Sequence, residues 1–84
     1  MNERNIKSIR DNRQKARELM GYGLISGMGF ATRTCEDRLD AEIIRLLPMA
    51  RARVLHKDDE VSVEAMATAM LVDELKSQIP ARLR

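Results

Sequence analysis

The sequence predicts a small all-α domain, a bundle of three main helices. Three observations predict it. The apolar set is Leu, Ile, Ala, Val and Met, and only Tyr22 and Phe30 are aromatic. Strands lean on aromatic and β-branched residues, whereas Leu, Ala, Met, Glu, Lys and Arg favour helix. Second, apolar residues recur at helical spacing in three separate stretches. Third, acids cluster early and bases late in the middle stretch, which suits a helix dipole. The apolar fraction of 44% is more than a disordered chain carries. These features predict one domain over residues 1–84, with helices at about 3–20, 35–56 and 62–79. A glycine-rich connector, 21–34, joins the first two, and 80–84 form a tail.

The first helix carries Ile6, Ile9, Ala16, Leu19 and Met20 within one sector. Arg4, Lys7, Asp11, Lys15 and Glu18 fall opposite. Arg10, Arg13 and Arg17 flank the sector, where their stems cover it while their charged heads reach water. Gly21 and Gly23 are expected to end the helix.

The connector holds Gly21, Gly23, Gly27 and Gly29. Each costs roughly 1 kcal/mol in a helix relative to alanine. The segment is nevertheless apolar, so an ordered, partly buried connection is expected, with Gly23 and Gly27 open to close backbone approach.

Thr34 reads as the N-cap of the second helix, with Asp37 in the capping-box position. The stripe Leu39, Ile43, Leu46, Leu47, Ala50 and Val54 keeps phase across Pro48, which predicts one helix kinked at the proline. A weaker stripe, Ala41, Ile44, Ala52 and Leu55, with Pro48 among them, predicts a second contact side. The second helix is therefore expected to be central.

Asp58, Asp59 and Glu60 read as a polar turn and Ser62 as the N-cap of the third helix. From Val63 to Val72 only Glu64 and Thr68 are not apolar. A helix apolar all round is buried all round. In 84 residues its own chain is expected to leave part of it uncovered. Pro80 ends it. A hairpin pairing 53–55 with 60–63 is the rival reading, and ranks below because an isolated two-stranded hairpin is marginal.

Function classes narrow by exclusion. Cys35 is the sole cysteine and His56 the sole histidine. They are placed near opposite ends of one helix, about 30 Å apart at 1.5 Å per residue, too far for a nucleophile and its base. Acids beside Cys35 also raise a thiol's pKa rather than activate it. No catalytic, cofactor-binding or metal residue is assigned, and no cofactor is expected. His56, Asp58 and Asp59 lack the ligands of structural zinc and the EF-hand spacing. Residues 21–26 lack the third glycine and the strand of a dinucleotide fingerprint. The longest apolar stretch, Leu19 to Ala31, holds four glycines and falls short of the ~20 residues of a membrane span. The mixed-charge front does not read as a signal peptide. A lone thiol fits a reducing, cytoplasmic setting.

Two activities stay in play. The first is protein–protein contact without catalysis, as a regulator, adaptor or inhibitor, through an apolar helical surface docked on a partner or on itself as a homodimer. Its expected interface is Ile44, Leu55, Val63, Met66, Ala67, Met70, Leu71 and Leu75, where methionines supply adaptable contacts. A phage or mobile-element accessory protein would fit that description. The second is nucleic-acid binding by the basic first helix through Arg10, Arg13 and Arg17. Residues 1–57 hold twelve Lys/Arg against seven Asp/Glu, and residues 58–79 hold six Asp/Glu against Lys76 alone. That asymmetry is able to orient docking.

Overall fold

The structure is a computed structural model that describes residues 3–24 and 32–78. Three helices make up the fold: α1 (Glu3–Leu24), α2 (Thr32–Arg53) and α3 (Glu60–Gln78). No strand occurs among the described residues, and residues 54–59 turn directly from α2 into α3 without pairing as a hairpin.

The helix ends differ from expectation, each for a local reason. α1 continues through Gly21 and Gly23 to Leu24 rather than stopping near residue 20. Glycine's cost is a weak prior that tertiary packing overrides, and Leu19 and Met20 are buried in the turn just before them. Of the connector, residues 25–31 lie outside the described residues, as does the tail. α2 begins at Thr32, so Thr34 sits inside the helix instead of capping it.

At its other end α2 stops at Arg53, three residues early. The Lys57 ammonium curls back and donates to the carbonyls of Arg51, Ala52 and Val54 at 3.0, 3.3 and 3.2 Å. Those carbonyls have no partner further along a helix that ends here, and a cation suits that end of the dipole.

The start of α3 is set by Asp59 rather than Ser62. The Asp59 Oδ1 accepts from the backbone N–H of Val61 and Ser62 at 3.1 and 3.3 Å. Its backbone carbonyl accepts from Val63 at 3.0 Å. Ser62 takes the third helical position and donates its hydroxyl to Asp59 Oδ2 at 2.9 Å. A carboxylate meets two orphan amides and a hydroxyl at once, which a serine in the capping position cannot do.

Cross-helix pairs fix the directions. Arg13 meets Asp40 and Arg17 meets Glu36, so α1 and α2 run antiparallel. Arg45 to Glu74 and Arg51 to Glu60 give the same relation for α2 and α3. Asn5 donates to Ser62 at 3.2 Å, which sets the start of α1 beside the start of α3. The topology is up, down, up.

α3, and not α2, is the central helix. It packs along both neighbours, which touch each other over a much smaller strip. The weaker α2 stripe faces water: Ala41, Ile44, Pro48, Ala52 and Leu55 are all exposed. Charge density explains the choice. α2 carries a charged residue in nearly every turn, whereas Val61–Val72 contains Glu64 alone. Accordingly, no residue from Val61 to Val72 is exposed.

The core joins Ala16, Leu19 and Met20 of α1 with Leu39, Ile43, Leu46 and Ala50 of α2 and Val63, Ala67, Leu71 and Val72 of α3. The α2 residues span Pro48, which lies exposed within a continuous helix. Each fully buried Leu contributes roughly 1.5–3 kcal/mol relative to exposure. Thr68 is the one buried polar residue among those described, and its hydroxyl donates to the Ala65 carbonyl at 3.0 Å.

Candidate docking surface

The central place of α3 redistributes the expected interface. Val63, Ala67 and Leu71 are at most 1% exposed and belong to the core. Met66, Met70 and Leu75 are half-buried and pack against that core from its edge. Only Ile44 and Leu55 stand in water, 64% and 92% exposed. The free apolar surface therefore lies on α2 and on the turn after it rather than on α3. Two further exposed apolar residues join them, Ile6 and Met49. Ile6 sits at the edge of the α1 sector, and Met49 lies off the α2 stripe. The edge position of Ile6 and the off-stripe position of Met49 are the signals that locate them.

Two grooves carry Leu55 and Ile44. One lies at the α2–α3 turn. Its apolar lining is Val54, Leu55, Ala65, Met66 and Ala69, and its polar lining is Asn5, Arg53, His56 and Ser62. It brings Leu55 and Met66 of the expected interface together, although they sit on different elements. The other holds Ile43, Ile44 and Leu47, ringed by Arg13, Asp40, Glu60 and Glu64. Leu75 lines a third, more polar recess with Met20, Arg45 and Glu74.

Electrostatics hold the turn beneath the first groove. Arg51 donates two parallel bonds to the Glu60 carboxylate, each 2.9 Å. A third, 2.6 Å, goes to the Lys57 carbonyl. The bonds from Arg51 hold the Glu60 carboxyl below its ordinary pKa, and Glu60 in turn raises that of Arg51. Bidentate geometry of this kind orients both partners.

The basic helix is partly neutralised within the chain. Arg13 pairs with Asp40 at 2.6 Å and with Glu36 at 3.8 Å. Arg17 donates to Glu36 through its Nε and also donates to the Gln14 side-chain carbonyl at 2.7 Å. Lys7 pairs with Asp11 at 2.8 Å, and that bond lowers the Asp11 pKa. Arg10 is exposed and has no ion pair among the described residues. Of the three expected nucleic-acid contacts, Arg10 alone makes no close ion pair there, although its charge helps to lower the Asp11 pKa.

Cys35 lies near the start of α2, and His56 follows its far end. Asp59 is engaged as a helix cap. Among the described residues no group of three His, Cys, Asp or Glu is gathered to hold a metal. Among them, too, no helix is long and apolar enough to cross a membrane. No protein-family model, curated protein or solved structure matches the chain.

Proposed function

We propose that the chain is a non-enzymatic docking protein, a small regulator, adaptor or inhibitor of cytoplasmic setting. It acts by placing apolar surface from α2 and the α2–α3 turn on a protein partner. The single observation that carries this reading is the exposure of Leu55, 92%, beside an apolar groove. Scattered exposed leucines are ordinary on monomers. One at the lip of an apolar groove extends a contiguous patch, which is where partners bind. The tightly bonded turn supports it, because a preordered surface loses less freedom on binding. Ile44, with the groove around Leu47, offers a second contact.

Capture of the tagged chain from its native cell extract, with and without nuclease, tests the reading. A stoichiometric protein that survives nuclease and is lost with Leu55→Asp supports it. If everything captured disappears with nuclease, the chain is a small nucleic-acid-binding regulator instead. Exposed Arg4, Arg10 and Lys15 on α1 favour that second reading, and the Arg13 and Arg17 pairs weigh against it.

A further inference from the structure

We infer that the groove at the α2–α3 turn is closed by a second copy of this chain, the Leu55 of each copy seated in the groove of the other. The inference rests on the docking reading above and names its partner.

Leu55 gains almost nothing from its own chain, being 92% exposed. The groove beside it is lined by Met66, Ala65 and Ala69, and the two alanines leave room for an inserted leucine. Projection and recess thus belong to one surface. A two-fold axis through the turn lays each projection over the other recess, the self-complementary arrangement of a symmetric dimer.

Charge complementarity favours a second copy over a uniformly acidic or uniformly basic partner. Arg53 lines the groove, is exposed and has no ion pair among the described residues. Asp58, in the same turn, is also exposed and makes no close ion pair among the described residues, although its charge helps to raise the Arg51 pKa. A uniformly acidic or basic partner satisfies one sign and opposes the other. A two-fold copy satisfies both, with Arg53 of each chain facing Asp58 of the other. Like charges kept apart in this way fix the register of an interface.

The test is the solution mass of the full chain over a range of concentrations, by light scattering or sedimentation. The expected result is twice the chain mass at high concentration. Leu55→Asp should give a monomer with unchanged helicity and a melting temperature that no longer depends on concentration. Arg53→Asp and Asp58→Arg should each weaken self-association about tenfold or more. An equimolar mixture of those two variants should regain it as a heterodimer, since each supplies the sign the other lacks. A wild-type chain that stays monomeric overturns the inference, as does a dimer that survives Leu55→Asp or a mixture that fails to regain association. Failure here leaves the docking reading to be decided separately. If the wild type is monomeric yet Leu55→Asp abolishes nuclease-resistant capture of a different protein, docking stands and the second copy falls.

Discussion

Arg51 and Glu60 face each other across the α2–α3 turn with both guanidinium–carboxylate bonds at 2.9 Å. The same guanidinium reaches the Lys57 carbonyl, and the Lys57 ammonium returns to the Arg51 carbonyl at 3.0 Å. The two side chains therefore hold each other's backbone, and the turn that carries Leu55 is bonded at both ends.

Acid should loosen this turn. The folded Glu60 pKa lies below its ordinary value, chiefly through the Arg51 bond. A depressed carboxyl contributes stability above its unfolded pKa and loses it as pH falls through the folded one. Stability from this pair should be complete at neutral pH and vanish below the ordinary glutamate range. Glu60→Gln should flatten that part of the pH–melting curve. Thermal melts of both proteins across the acidic range check it, and parallel curves would refute the assignment.

Asp59→Ala should destabilise the domain by about 0.5–2 kcal/mol, since it strips the N-cap from α3. In a domain this size each kcal/mol is worth roughly 4–8 °C of melting temperature. Ser62→Ala should cost less, because it removes the hydroxyl's bonds to Asp59 and Asn5 but leaves both capped amides in place. Thermal denaturation followed by helical circular dichroism ranks the two. The opposite ranking would return the cap to Ser62.

Leu46→Ala and Ile44→Ala should separate sharply, though the residues are two apart on one helix. Leu46 is 2% exposed and Ile44 is 64% exposed. The first change should cost about 2–5 kcal/mol, enough to threaten so small a domain. The second should stay within about 0.5 kcal/mol. Urea midpoints measure both.

Charge reversals on α1 should split in the same manner. Arg13→Glu sets a carboxylate against Asp40 and Glu36, losing up to about 1 kcal/mol for each pair before repulsion is added. Added salt should shrink the loss, since exposed charges are screened over about 10 Å at 0.1 M. Arg10→Glu should leave melting unchanged. It is therefore the clean probe of nucleic-acid contact. If phosphate is bound there, the variant should lower the slope of log affinity against log salt by about 0.9.

Met66 and Met70 show why the expected interface was only partly legible. Their spacing places them on one helical face, and the structure keeps that face together. Periodicity states which residues share a side, but a side filled by a neighbouring helix reads the same as one awaiting a partner. Val63, Ala67 and Leu71 fell inside for that reason, while Leu55 stayed out because α2 ends two residues before it. The Lys57 and Asp59 bonds that move those helix ends are local, but they are choices among several polar residues in one turn, and no spacing rule selects between them.

By itself the sequence determined three helices, the stripe Leu39–Ile43–Leu46–Ala50 that α2 buries, and the near absence of charge from Val61 to Val72, where Glu64 stands alone. Composition and 3.6-residue periodicity suffice for these, because each is local to one helix. Only the tertiary structure decided which helix is central, which arginines of α1 are neutralised by α2, and where apolar surface remains. Those outcomes depend on how three faces compete for one small interior, and the face with the fewest charges to keep in water, that of α3, takes the middle.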